Sequence, residues 1–341
     1  MAQKTSKADG YKLLSDAIKS GQVGRLYILH GEERYLLERG LVELRKRFAT
    51  GGFDEFNYKR FEGRGFTTDA LGDAVDTLPV FAERTLVEVH DYNIFKNESK
   101  EKLRDIVSDL PDYVCVVFVF DTVAYKPDGR VKLNAEILKK AEVIEFNVQE
   151  QEKLINWIKR HYSTFDKRIS TADAEYLAFI TGGYMSSIHG EVGKTAAYAK
   201  GEVVTRADID AVVTPVIDTV AYKLADALAR RDHKEALVVL DGLFQMREAP
   251  HKLIFSISQK MRQLLAARVC IECSSDKAAL MEMCAIRHEF QARMLMDTAR
   301  RMTLAECRKA VLYCADTALE LNSAPEPESR MVELITKLAF C

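Results

Sequence analysis

Residues 113–120 read YVCVVFVF, from Tyr113 to Phe120. Every position is apolar, and there is no polar alternation. A strand with one wet face alternates. An unbroken run of this length predicts a strand covered on both faces, as in a parallel sheet flanked by helices. Working outward, the neighbouring segments fit that frame. Pro111 stops a charged amphipathic helix over 96–110, and a second helix is expected over 131–140. Short strands are expected at 26–29 (LYIL), 56–61, 85–89 and 143–146. Helices over 33–48 and 67–76 lie between them, the latter with Thr68 or Asp69 as N-cap. Strand and helix thus alternate through five strands, which predicts a parallel α/β sheet.

After Gln149 the pattern becomes helical, with no further strand expected. Helices are read at 151–162, 171–180, 185–199 and 206–213, with Ser170 and Asp173 as a capping-box pair. Thr214-Pro215 is a break. Helices follow at about 216–230, 233–246, 250–267, 275–283, 289–302 and 304–321, with a last one reaching 340. Pro250 suits a first helical turn. A linker-like stretch spans 322–329. The expected division is an α/β domain at 1–148, a small helical domain at 149–214 and a larger helical domain at 215–341.

Composition narrows the function. Of 341 residues 48% are apolar, enough for a sizeable core. The 49 basic and 51 acidic residues leave a net charge of −2. That balance excludes a strongly basic nucleic-acid protein, though not one with local basic contacts. No run of eighteen apolar residues is present, and the N-terminal MAQKTSKADGYKLL lacks the core of a secretory signal. A cytoplasmic protein without membrane association is expected. Seven scattered cysteines do not read as a disulfide framework.

Three motifs invite chemistry. His189-Gly190-Glu191-Val192-Gly193-Lys194-Thr195 ends as a phosphate-binding loop does. Such a loop needs a glycine five residues before Gly193, and that position is Ile188. It also needs a preceding strand. Met185, Ile188, Val192 and Ala196 instead share a helix face, so an ordinary helix with an exposed Lys194 is expected. The rival reading is an ATP-hydrolysing protein using Gly193, Lys194 and Thr195. Cys270, Cys273, Cys284 and His288 have spacings that can bind zinc, but Cys270 continues an apolar helix end and Cys284 fits an apolar helix face, so the cysteines read as buried free thiols. The seven histidines are dispersed, with no nucleophile turn beside them. Where a phosphate loop belongs, after the first strand, the chain reads His30-Gly31-Glu32-Glu33-Arg34-Tyr35. Glu32 and Glu33 suit the positive end of a helix dipole without any ligand. His90-Asp91 and Asp121-Thr122 read as turns after buried strands. A quieter feature is Leu78-Pro79-Val80-Phe81. Pro79 ends a helix and puts two apolar residues in a loop, where they either fold back into the core or form an exposed plug.

LYILHGEERYLLERGL, TLPVFAERTLVEV, YVCVVFVFD, VIEFNVQEQEKLINWI and the stretch from Val220 to Val269 together resemble one family, the delta subunits of bacterial DNA polymerase III clamp loaders. The resemblance covers nearly the whole chain. It implies an AAA+-like first domain with five parallel strands and a degenerate phosphate loop. A small helical lid and an all-helical collar, which holds five subunits in a ring, would follow. It implies no cofactor, no metal and no active site of its own, within a DNA-directed DNA polymerase holoenzyme. The implied role is to bind and open the sliding clamp for loading onto primed DNA. The implied partners are that clamp, the other clamp-loader subunits and primed DNA. The family's apolar pair maps onto Val80 and Phe81, flanked by Leu78 and Pro79. Val80 is shorter than the leucine of some members, so Phe81 is expected to be the main contact. Arg45, Lys46 and Arg47 are basic candidates for DNA contact.

Overall fold

The computed structural model describes residues 9–48, 54–96, 100–322 and 326–339. Residues 1–8, 97–99 in the first turn of the helix expected over 96–110, the middle of the 322–329 linker and residue 340, the expected end of the last helix, lie outside them. By its contacts the chain divides into two compact units, Met1–Gln149 and Glu150–Cys341.

The first unit runs α1 (Gly10–Ser20), β1 (Leu26–Gly31), α2 (Arg34–Phe48), α3 (Asp54–Asn57), β2 (Tyr58–Glu62), α4 (Thr68–Asp76), β3 (Thr85–His90), α5 (Lys100–Ser108), β4 (Val114–Phe120), α6 (Lys132–Lys140) and β5 (Glu142–Phe146). The five strands form one sheet in the order β2-β3-β4-β1-β5. All neighbours run parallel, with Ile28 opposite Phe118 and Val89 opposite Phe118 on the other side. Every residue of β4 is buried, as its unbroken apolar run requires. Successive side chains point to opposite faces. Leu26, Ile28, Val87, Val89, Val116 and Phe118 therefore share one face, packed with Leu71 and Val75 of α4, Leu103 and Val107 of α5 and Ile137 of α6. Helices α1 and α2 pack together and against β1, β3 and β5. The result is a three-layer α/β/α sandwich.

The sequence reading needs correction in four places here. Helix α1 was not anticipated; it stands on a single buried leucine, Leu14. Thr67, rather than Thr68 or Asp69, caps α4, its hydroxyl accepting from the Ala70 N–H at 3.1 Å. The strand expected from Phe56 starts at Tyr58, because residues 54–57 form α3. Two short strands, β6 (Arg168–Ile169) and β7 (Val203–Val204), pair in parallel in the second unit, where none was expected.

That unit otherwise consists of α7 (Gln151–Ser163), α8 (Thr171–Ile180), α9 (Met185–Tyr198), α10 (Arg206–Val212), α11 (Ile217–Ala229), α12 (His233–Gln245), α13 (Pro250–Glu272), α14 (Lys277–Cys284), α15 (Glu289–Ala299), α16 (Leu304–Glu320) and α17 (Pro327–Ala339). Ser170 caps α8 from the Asp173 N–H, and Thr205 and Thr303 form full capping boxes with Asp208 and Glu306. Pro250 opens α13, which outruns its expected end at 267 by five residues. An Arg268–Glu272 pair at 3.2 Å joins its last turns. Helices α11 to α17 enclose one apolar core around Ile257, Met261 and Leu264 of α13.

Candidate functional site

At the end of β1, Gly31 has φ +135°, and an added Cβ would lie 2.2 Å from the Phe146 carbonyl oxygen. A glycine is needed here to let β1 close on β5. This is the edge where a phosphate loop would sit. His30 stacks on Tyr125 with centroids 4.0 Å apart, and burial pushes its imidazole below the usual range. Glu33 is fully buried ahead of α2. Arg34 is joined to the Asp121 carboxylate at 2.7 Å and donates to the Asp121 carbonyl at 3.0 Å. Asp91 accepts from the backbone N–H groups of Asp121, Thr122 and Val123 at 2.7–3.0 Å. Burial opposes its ionisation, yet those donors outweigh it and hold the carboxyl below its usual range. The turn residues after β3 and β4 thus brace each other.

In the second unit, HGEVGKT lies inside α9. Lys194 pairs with Glu191 at 2.7 Å, one turn back on the same helix. Thr195 is fully buried, 2.6 Å from the Tyr162 hydroxyl of α7. An added Cβ at Gly190 would meet open space, and at Gly193 only the Phe165 ring at 3.8 Å. This is core-and-surface helix chemistry, with Lys194 and Thr195 pointing to different tasks. Of the thiol group, Cys270 is buried on α13, Cys273 is exposed past its end and Cys284 closes α14. His288 precedes α15, with its ring packed over Gly183. Among the described residues no three His, Cys, Asp or Glu side chains gather as a metal site.

The remaining feature is the loop between α4 and β3. Thr77 closes α4, its hydroxyl donating to the Asp73 carbonyl at 2.8 Å. Leu78 is 67% exposed, Pro79 and Val80 are half-buried and Phe81 is 88% exposed. The loop holds Phe81 outward with φ +53°, a conformation that costs a non-glycine residue roughly 1–2 kcal/mol. Such a backbone persists only when its surroundings fix it, and here they do. The buried Asn57 side chain accepts from the Val80 N–H at 2.7 Å and donates to the Val80 carbonyl at 2.7 Å. Arg84 donates to the Val23 and Gly24 carbonyls, and Glu83 pairs with Arg47 at 2.6 Å. The loop is therefore tied down on both sides of its apolar tip. Asn57 carries no sequence signal: it ends a four-residue helix that periodicity cannot detect.

Two of the three basic candidates, Arg45 and Arg47, are engaged in ion pairs. Arg45 is bidentate to the buried Glu88 at 2.8 and 2.7 Å and also reaches Glu38. His90 and Tyr58 complete a cluster around that carboxylate. Arg47 is the partner of Glu83. Both arginines are engaged within the unit.

These features define a three-layer α/β module whose phosphate-loop position carries carboxylates and a stacked histidine, followed by a mostly helical region. Comparisons with known proteins agree. A model of the DNA polymerase III delta subunit matches residues 27–147, and one of the delta subunit's C-terminal domain matches 218–337. DNA polymerase III subunit delta of Bacillus subtilis (strain 168) is 26% identical over 326 residues, 93% of each chain. The probable DNA polymerase III subunit delta of Aquifex aeolicus (strain VF5) is 23% identical over 281 residues, 78% of this chain and 77% of the relative. The solved Bacillus subtilis DNA clamp loader delta protein superposes with a TM-score of 0.60 at 22% identity, covering 97% of this chain and 100% of that one. The chain belongs to the delta-subunit family of bacterial DNA polymerase III clamp loaders.

Proposed function

We propose that this chain binds the sliding clamp and opens one of its interfaces for loading onto primed DNA, without hydrolysing ATP itself. The contact surface is Leu78, Pro79, Val80 and Phe81. One observation carries the reading: Phe81 stands 88% exposed on a loop whose backbone is fixed beneath it. A large apolar side chain held outward on a fixed backbone loses little conformational freedom when it enters a pocket. Burying Phe81 and Leu78 in a partner contributes up to about 1.5–3 kcal/mol each. Aromatic side chains dominate such contacts, so Phe81 leads. The mechanism has no covalent step. Docking favours the open clamp by binding it better than the closed form, and the differential affinity sets how far opening shifts.

In this reading residues 149–214 form a lid and residues 215–341 a collar that joins the chain to four other clamp-loader subunits. Those neighbours supply nucleotide hydrolysis, and phosphate contacts shared around the ring hold the primed DNA. With Arg45 and Arg47 engaged in ion pairs, this chain's DNA contacts come from other basic residues. Capture of the sliding clamp from the same cell by the immobilised full chain tests the proposal. Failure to retain the clamp under conditions that preserve the fold would overturn it.

A further inference from the structure

We propose that α3 is the second half of the clamp-contacting face, with Phe56 as a contact residue and Asn57 as the residue that positions the two halves. The inference rests on the reading of the 78–81 loop as the clamp contact and extends it to a segment that is remote in sequence.

Three observations meet here. First, among the described residues of the first unit, the large apolar side chains left exposed are Leu13, Phe56, Leu78 and Phe81. Three of those four lie on α3 or on the loop. Phe56 itself is 54% exposed, on a helix too short to need a phenylalanine for its own stability. Second, α3 and the loop touch. The paired 2.7 Å bonds between the Asn57 amide and the Val80 backbone join them as a one-residue bridge. A side-chain amide spans only a few ångströms, and adjacent Cα atoms are about 3.8 Å apart. Phe56 and Phe81, each next in sequence to a bridged residue, therefore fall within the footprint of one ordinary interface, which buries about 800 Å² per partner. Third, Asn57 is fully buried and satisfies both backbone groups of Val80, immediately before the left-handed Phe81. It sets the direction from which Phe81 leaves the surface. A partner that buries Phe81 thus has a second exposed aromatic residue within the same footprint, and apolar residues around a central contact exclude water from it.

The chemistry asks for a clamp surface with an apolar pocket for Phe81 and an apolar shoulder beside it for Phe56. Surface plasmon resonance with the full chain and the sliding clamp of the same cell tests this, using Phe56→Ala, Phe81→Ala, Asn57→Ala and the Asn57→Ala/Phe81→Ala pair. Phe56→Ala is expected to weaken binding roughly five- to thirtyfold with an unchanged unfolding midpoint. Asn57→Ala is expected to weaken binding in the native background and to have little further effect when Phe81 is already alanine, because it acts through Phe81. Native affinity in Phe56→Ala, with binding lost in Phe81→Ala, would place α3 outside the face and leave the loop's role intact. Native affinity in Phe81→Ala as well would overturn the reading of the loop itself. An equal loss from Asn57→Ala in both backgrounds would make Asn57 merely structural. Should Asn57→Ala fail to fold, Phe56→Ala decides the proposal alone.

Discussion

Tyr162 of α7 and Thr195 of α9 share a hydrogen bond of 2.6 Å inside the second unit. The Thr195 hydroxyl also reaches back to the Glu191 carbonyl at 2.7 Å. Burial pushes the Tyr162 phenol up to about 12, so it stays neutral and needs a partner. A threonine that looks like a magnesium ligand in sequence is a core hydroxyl. Thr195→Val keeps its shape and removes that partner. It is expected to cost about 1–3 kcal/mol in urea unfolding, the cost of a stranded buried hydroxyl. Unchanged stability would contradict the role assigned to this pair.

The glycines of the same helix have no packing requirement. Gly190→Ala and Gly193→Ala are each expected to stabilise the chain by about 0.4–1 kcal/mol, since alanine restricts the unfolded chain and fits the space. Thermal unfolding reads this directly. A destabilised variant would show that the backbone there is needed for something else.

Glu88 sets an acid limit. Its burial favours the neutral form, but bonds from His90 and Arg45 outweigh it and hold the carboxyl below its usual range. A depressed folded-state value contributes stability that is present above the unfolded value, near 4.3. That stability is lost as pH falls through the lower folded value. Glu88→Gln leaves Arg45 without its buried partner and is expected to cost about 3 kcal/mol or more at pH 7. The gap to the native chain should narrow steadily below about pH 4. Parallel stability profiles from pH 7 to pH 3 would contradict this account of the cluster.

Phe81 carries strain that a glycine would not. Phe81→Gly and Phe81→Ala remove the same contact, but glycine accepts φ +53° freely. Phe81→Gly is expected to be the more stable of the two, by about 1 kcal/mol in chemical denaturation. Equal stability would mean the backbone relaxes once the ring is gone.

Much of this molecule can be read from its residues. The buried strands were legible because parallel strands shielded on both faces are written as unbroken apolar runs, and Tyr113–Phe120 is the clearest. The helical spacing of Met185, Ile188, Val192 and Ala196, with Ile188 standing where a phosphate loop needs glycine, placed HGEVGKT in a helix. Helix α1 was legible but overlooked, since Tyr11, Leu14, Ala17 and Ile18 recur at three- and four-residue steps on its inward face. Strands β6 and β7 are two residues each, below any pattern. At the candidate site the apolar pair was visible through Pro79, but its exposure was not, because an apolar loop residue reads the same buried or free. Asn57 was illegible for a different reason. Its role comes from a contact 23 residues away that no local pattern encodes. Arg45 likewise looked like a surface charge until the fold put Glu88 beneath it.

The most direct test of the central claim is the affinity of the full chain for its sliding clamp, native against Phe81→Ala, by surface plasmon resonance. Phe81 is 88% exposed, so its removal leaves the core untouched. The account predicts a loss of roughly thirtyfold or more, the mark of a dominant interface residue. A folded Phe81→Ala chain that binds the clamp with native affinity would contradict it.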